Sequence, residues 1–413
     1  MAMTAEEALL DQAQTATFVW QMSTQGDPYA GLLLRQINPY RFCEKAREQG
    51  ALTRSKVGPW VTPDYAVARE ILRDRRFGTR LASGERAFTQ FTSMDDSFLK
   101  LDPPDHGRLR RIVTPFFGHR RFDAWRPRIE NLCEDLLDAV DLSEPFDLVA
   151  AYVRPLMNTL VRDLFRVPDE LSERFDRNCA TAGRVFEGFA SPEQYQELEV
   201  AVRDLRELLA ELLELRRTRP DDDVVTEMLK AVEQNRLTLD EAIGVCGLLA
   251  IAGTESTSHL ISNATLALLE NRDQWDLLLA DPDLAPRVVE ETLRYDPPNQ
   301  LISRAVHEDL TIAGQDLKCD DPVIIMTGGA NRDPKVFADP NCFDILREDG
   351  SESLTFSTGM HFCLGAALAR TAADIALRVL TARHPDLHRS GPVKRRQAAS
   401  VRGLSSLPVQ ATA

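Results

Sequence analysis

Apolar residues recur at three- and four-residue spacing through most of the chain, the period of a helix with one buried face, so the pattern predicts a mainly α-helical molecule. Helices are expected from Pro39 to Gly50, from Asp64 to Arg73, from about Asp105 onward, across most of 128–235, from Thr238 to about Asn271, around 287–296, and after Cys363 to about Arg383. The breaks within 128–235 fall near Ser143-Glu144-Pro145, Val167-Pro168 and Ala190-Ser191-Pro192, and a charged turn spans Arg217 to Asp223. Residues 1–28 carry a weaker helical period and read as a peripheral lead-in without chemistry. Strand patterns are short. Ala51–Val57 and Trp60–Thr62 read as a hairpin turning at Gly58-Pro59, Leu301–Val306 and Pro322–Met326 as strands, and Val401–Val409 as a final hairpin. Between Phe77 and Leu99 no period emerges, and loops of that length in compact domains are usually functional.

The longest helical run opens on Thr238-Leu239-Asp240-Glu241, which has the form of a capping box. Some thirty residues at about 1.5 Å each give roughly 45 Å, enough to cross a domain. Its middle, Gly247 to Thr257, sets two glycines and a Glu-Ser-Thr cluster inside an apolar span, and each weakens a helix. Either the glycines allow close helix packing beside a polar kink, or the helix opens there for a functional reason.

Composition is ordinary for a globular protein with a sizeable core. The net charge of −15 argues against nucleic acid as a partner. Seven cysteines without a Cys-x-x-Cys pair are cytosolic usage, not a disulfide framework. No run approaches the roughly eighteen apolar residues of a membrane span, and the N-terminus lacks the order of a signal peptide. The expectation is a cytoplasmic protein without membrane contact. One segment runs against the overall charge: from Arg108 to Arg128 seven arginines and His119 face Asp123 as the only acid. It reads equally as a solvated face or as a docking patch for an acidic protein.

Candidate chemistry concentrates at Phe356-Ser357-Thr358-Gly359-Met360-His361-Phe362-Cys363-Leu364-Gly365, followed by Ala366 to Arg370. A cysteine here enters the start of a helix, where unpaired N–H groups and the positive end of the helix dipole stabilise a thiolate. Alone, Cys363 reads as readily as a buried structural cysteine. Upstream, His106 and Arg110 lie four apart on one helix face after Asp102-Pro103-Pro104, and Glu291 and Arg294 three apart before Pro297-Pro298. Either pair by itself is commonplace.

Taken together and in order, these motifs resemble the cytochrome P-450 monooxygenases: Phe-x-x-Gly-x-His-x-Cys-x-Gly at the cysteine, Ala-Gly-x-Glu at 252–255, and Glu-x-x-Arg at 291–294. The resemblance covers roughly residues 40–410. It implies one mainly α-helical domain over 1–413, with small sheets in a β-rich lobe, holding haem b (iron protoporphyrin IX) through Cys363 as axial ligand. It places His106, Arg110, Ala252, Arg304, Phe356, His361 and Gly365 around the cofactor, with His106, Arg110 and Arg304 on the propionates. Glu255, Ser256 and Thr257 match the proton-delivery cluster, with Ser256 standing where the family has Thr. Glu291, Arg294 and Arg347 match a structural triad. By matched position the substrate pocket draws on Phe88, Phe91, Met94, Val185, Phe186, Phe189, Leu248, Leu301, Ile302 and Leu404, an apolar lining for a hydrophobic small molecule. The implied reaction is insertion of one oxygen atom from O₂, electrons passing from NAD(P)H through ferredoxin reductase and ferredoxin to a monomeric enzyme. Bacterial relatives of this kind tailor polyketides, macrolides or terpenoids by hydroxylation or epoxidation. Rival readings are a peroxide-driven peroxygenase, a haem-binding sensor or carrier, and an inactive haem protein.

Overall fold

The computed structural model describes residues 5–34, 38–85, 97–184, 192–348 and 352–411. In chain order its elements are α1 (Ala5–Thr24), α2 (Pro28–Leu33), α3 (Tyr40–Gln49), β1 (Thr53–Arg54), β2 (Trp60–Thr62), α4 (Tyr65–Arg73), β3 (Phe77–Gly78), α5 (Asp105–Val113) and α6 (His119–Asp138). They continue with β4 (Phe146–Asp147), α7 (Arg154–Phe165), α8 (Asp169–Gly183), α9 (Pro192–Thr218), α10 (Val224–Glu233), α11 (Leu239–Glu270), α12 (Arg272–Ala280) and α13 (Ala285–Tyr295). The last part comprises β5 (Leu301–Val306), β6 (Leu310–Ile312), β7 (Gln315–Leu317), β8 (Pro322–Met326), α14 (Thr327–Ala330), α15 (Ala366–Arg383), β9 (His388–Arg389), β10 (Lys394–Arg395), β11 (Leu404–Ser406) and β12 (Pro408–Gln410). The molecule is mainly α-helical with small sheets, as the apolar period predicts.

Local chemistry sets the starts of the key helices. Asp64 accepts from the Val67 N–H to open α4, and Asp223 does the same from Thr226 for α10. The capping box at Thr238 forms in full, its hydroxyl accepting from the Glu241 N–H while the Glu241 carboxylate accepts from the Thr238 N–H. The helix it opens is buried along nearly its whole length, which is why its apolar residues do not keep to one stripe. As the apolar period predicts, α11 is one continuous run, from Leu239 to Glu270. The hydroxyls that could unwind it turn back on their own helix: Thr254 Oγ1 donates to Ala250 O at 3.1 Å and Ser256 Oγ to Ala252 O at 2.7 Å. Gly253 gives the close approach instead, since a Cβ there would stand 3.0 Å from the Val161 methyl on α7.

The main sheet has the order β1-β2-β8-β5-β3, with β2 and β8 parallel and the other pairs antiparallel. The hairpin expected at Gly58-Pro59 is the pair β1 and β2. Strand β8 is a continuous apolar run because both its faces are covered: Val323 and Ile325 pack with Ile71, Leu72 and Phe77, while Ile324 and Met326 pack with Tyr29, Leu32 and Cys43. The final hairpin does not form. β11 pairs with β10, whereas β12 pairs with β4 and β9. Leu407 between them is fully buried; its N–H donates to Asp147 Oδ1 at 3.0 Å and its carbonyl accepts from the Leu148 N–H at 3.0 Å, so the chain crosses from one sheet to the next instead of folding back. Among the described residues, no helix is long and apolar enough to cross a membrane.

Candidate functional site

Cys363 stands between a short turn and the start of α15. Its N–H donates to Phe356 O at 2.8 Å, closing the loop on itself. Gly359 makes that closure possible: its φ is +70°, and a Cβ would stand 2.7 Å from Leu72 O. Gly365 is different. A Cβ there would meet no atom within 4 Å, and its φ of −83° suits any residue, so the chain itself does not demand glycine, and the backbone is left open to a flat group. Burial pushes the Cys363 thiol up, while the N–H groups of Gly365 and Ala366 and the guanidinium groups of Arg110 and Arg370 favour the thiolate. Phe356 lies beneath Arg370, whose Cζ is 4.6 Å from the ring centroid.

Four basic side chains converge beside this loop. His106 and Arg110 come from α5, Arg304 from the middle of β5, and His361 from the loop, with the His106 and His361 ring centroids 4.4 Å apart. Arg110 reaches backbone oxygens, donating to Met360 O at 3.3 Å and Phe362 O at 2.5 Å, and buried Arg304 donates to Ser303 O at 2.8 Å. His106 Nε2 and His361 Nε2 are buried without a hydrogen-bond partner. The crowding is visible in their proton affinities. Burial, then His361 and Arg110, push His106 down to about 4, and burial takes Arg304 to about 10. The carboxylate nearest the cluster is Asp102, 3.8 Å from His361 Nε2 and held by the N–H groups of Thr79 and Arg80 at 2.9 Å. Among the described residues, no carboxylate is within ion-pair distance of Arg110 or Arg304. A buried guanidinium such as that of Arg304 is costly without an anion, and the cluster around it could receive carboxylates. Nor do three His, Cys, Asp or Glu side chains meet as a metal site among the described residues. A single thiol beside an anion-seeking cluster and an open glycine fits an iron that arrives inside a flat, carboxylate-bearing ring.

On α11, Ala252 is exposed, Leu248 and Thr257 are buried, and the Ser256 hydroxyl is engaged with Ala252 O. Glu255 points elsewhere. Its Oε2 lies 3.2 Å from Arg396 Nη1 and 3.5 Å from His259 Nε2, and Gly183 on α8 faces it so closely that a Cβ would stand 2.7 Å from its Cγ. Burial pushes the Glu255 carboxyl up, but His259 and Arg396 outweigh it and hold the group below the usual range. Neither partner was expected from the sequence. His259 carried a signal, one helical turn from Glu255 on the same face. Arg396, distant in sequence, carried none.

Glu291 and Arg294 form a buried bidentate pair, 2.7 Å on each arm. Arg347 Nε joins at 3.4 Å, and the Asp344 N–H donates to Glu291 at 2.9 Å. Of the pocket positions, Leu301 and Ile302 are half-buried at the start of β5 and Leu404 is buried. Phe88, Phe91, Met94, Val185, Phe186 and Phe189 lie outside the described residues. The basic segment is largely spoken for. Arg108 pairs with Asp105 and Glu241, Arg121 with Asp222, Arg126 with Asp374, Arg128 with Asp163, and Arg110 turns inward. Arg111 and Arg120 are exposed.

A family model described as "Cytochrome P450" matches residues 29–381. The chain is 32% identical over 380 residues to the biotin biosynthesis cytochrome P450 of Bacillus subtilis (strain 168), covering 90% of this chain and 96% of that one. It is 35% identical to the 6-deoxyerythronolide B hydroxylase of Saccharopolyspora erythraea, covering 91% and 96%. Among solved structures it superposes with a TM-score of 0.84, at 30% identity and with 91% and 98% of the two chains covered, on P450BioI in complex with an acyl carrier protein ligated to hexadec-9Z-enoic acid. A thiol in a glycine-bent loop, cations awaiting carboxylates, and likeness over nine-tenths of the chain lead to one conclusion: the chain belongs to the cytochrome P450 family of haem-thiolate monooxygenases.

Proposed function

We propose that this monooxygenase inserts one oxygen atom from O₂ into a hydrophobic small molecule, by hydroxylation or epoxidation, as a tailoring step in secondary metabolism. Bound haem supplies the dioxygen activation. The residues of the chain do the rest. Cys363 serves as the iron ligand, and His106, Arg110, Arg304 and His361 hold the propionates by charge-assisted hydrogen bonds. Phe356 and Gly365 shape the proximal side, and Ala252 leaves room on the helix opposite. Glu255, Ser256 and Thr257 move protons toward the reacting oxygen. Leu248, Leu301, Ile302 and Leu404, with the aromatic positions of the two segments outside the described residues, exclude water and position an apolar substrate. Glu291, Arg294 and Arg347 brace the segment between α13 and the cysteine loop.

The observation that carries this reading is the pairing of the Cys363 loop with a basic cluster in which, among the described residues, neither Arg110 nor Arg304 has a carboxylate within ion-pair distance. Two similar proteins suggest a substrate range. One is a 6-deoxyerythronolide B hydroxylase, and the other was solved with an acyl carrier protein bearing a sixteen-carbon chain, so we infer a medium to large, mostly apolar substrate. Electrons come from NAD(P)H through ferredoxin reductase and ferredoxin, with Arg111 and Arg120 available to an acidic partner. In this reading the enzyme is a single-domain monomer of the cytoplasm. The test is the carbon monoxide spectrum of the reduced protein. Wild type should show the strongly red-shifted Soret band of thiolate-ligated haem, and Cys363→His should move it to the position of an imidazole-ligated haem. An unchanged band in the variant rules out Cys363 as the ligand.

A further inference from the structure

A cavity of about 620 Å³, within the size range of small-molecule sites, lies between the C-terminal loop, α2 and the end of α11 and opens to solvent. Its walls are of two kinds. Leu32, Leu266, Val393, Ala399 and Val401 give an apolar side, and Arg389, Lys394, Arg395, Arg396 and Arg402 a cationic one. Strand β10 sets two of those cations side by side. A regular strand sends successive side chains to opposite faces, but the pairing of β10 with β11 slips here, Lys394 opposing Ser406 and Arg395 opposing Leu404, and both side chains line the cavity. The cavity shares no residue with the pocket positions Leu248, Leu301, Ile302 and Leu404. Gly403 and Ser405 line it, whereas Leu404 between them packs in the core, so β11 is a partition between the cavity and the interior.

The cations of the wall are unequally served. Arg389 Nη1 is 2.8 Å from Glu270 Oε1 and Arg396 Nη1 is 3.2 Å from Glu255 Oε2. Asp296 is shared: its Oδ1 is 2.5 Å from Arg402 Nε, and its Oδ2 reaches Arg395 Nη1 only at 3.5 Å. Burial pulls the Arg395 guanidinium below its usual value, and Arg402 adds to that effect against the pull of Asp296. Among the described residues, Lys394 has no carboxylate within ion-pair distance. Positive charge is therefore in excess at Lys394 and Arg395, within a chain whose net charge is −15. We propose that this cavity is a second binding site, beyond the haem pocket, and that it takes a phosphate monoester with an apolar body. Such a group carries about −1.5 to −2 charges at neutral pH. Its oxygens suit both the fork of an arginine and the point charge of a lysine, and its body covers Leu32, Leu266 and Ala399. A monocarboxylate brings one charge to two cations, and inorganic phosphate leaves the apolar wall in water.

Isothermal titration calorimetry of the haem-loaded protein with hexyl phosphate, inorganic phosphate and hexanoate tests this, on wild type, Lys394→Glu, Lys394→Arg, Ala399→Trp and Lys318→Glu. Lys318 is an exposed cation outside the cavity wall, so its reversal makes the same change in net charge elsewhere. Lys394 is itself exposed, and its replacement leaves the core untouched. Hexyl phosphate should saturate one site on wild type, about ten-fold or more tighter than either comparator. Lys394→Glu should weaken that binding by about ten-fold or more, and Lys394→Arg should keep it. Ala399→Trp should abolish it by filling the apolar side, and Lys318→Glu should leave it unchanged. Binding should persist when 4-phenylimidazole already occupies the haem iron. The inference is overturned if hexyl phosphate does not saturate, if inorganic phosphate binds as tightly, or if Lys318→Glu weakens binding as much as Lys394→Glu. It is overturned equally if 4-phenylimidazole prevents binding, which would put the ligand in the haem pocket. None of these outcomes bears on Cys363 or on the oxygenation reading.

Discussion

Ser256, proposed above to act in proton delivery, has its hydroxyl tied to its own helix. Its hydroxyl donates to Ala252 O at 2.7 Å, so before it can serve a bound oxygen or water it must rotate away from its own helix. Serine rotates more freely than β-branched threonine, and an orientation more easily reached is also less well fixed. The expected outcome is that the natural enzyme loses some oxygen as peroxide. Ser256→Ala should increase the loss strongly, and Ser256→Thr should leave it equal or smaller, measured as peroxide released against product formed. Equal coupling in Ser256→Ala and wild type would make Ser256 a helix residue only. At this scale the sequence was informative where chemistry needs a particular atom at a fixed spacing: Cys363, His106 with Arg110, and Glu291 with Arg294 are adjacent or one helical turn apart, so they are visible in one dimension. Asp102 against His361, and Arg396 against Glu255, are encounters between distant segments that no local pattern encodes.

Among the elements, the helices were legible because burial repeats with their period and because caps such as Thr238 are local chemistry. Of the two readings of the middle of α11, the structure bears on the first, with close packing at Gly253 in an unbroken helix. Glycine, serine and threonine lower helix propensity, but the hydroxyls found acceptors one turn back and the helix is continuous. The final hairpin failed because strand partners are chosen by the whole sheet, and Leu407 is buried in the gap the chain must cross. The segment after α13 is bound to it through Glu291, which accepts from Arg294, the Asp344 N–H and Arg347 at once. Glu291→Gln would leave two guanidinium groups buried without their counter-charge. We expect a loss of about 3–5 kcal/mol in reversible unfolding, together with poor haem retention. A loss below about 1 kcal/mol would show that the carboxylate is dispensable there.

For the whole molecule, the charge distribution tests the proposed electron delivery by ferredoxin. Of the seven arginines from Arg108 to Arg128, five are turned inward or paired, so the sequence overstated the patch. Reduction by an acidic ferredoxin should slow as salt is added, because exposed charges are screened beyond about 8–10 Å at physiological ionic strength. Arg111→Glu or Arg120→Glu should raise the ferredoxin KM and leave the substrate-induced spectral shift alone. A rate independent of salt would assign those arginines to solvation.

The most extensive contact between helices joins α6 (His119–Asp138) to α15 (Ala366–Arg383), far apart in the chain. A ribosome adding about 5–20 residues per second completes α6 more than ~10 s before α15 leaves it. Through that interval Ile129, Leu132 and Cys133 of α6 can pack against the nearer Tyr152 and α7 but not against α15, and Cys363 has not yet been made. If haem is held through Cys363, as proposed, its capture is therefore a late event in the life of each polypeptide.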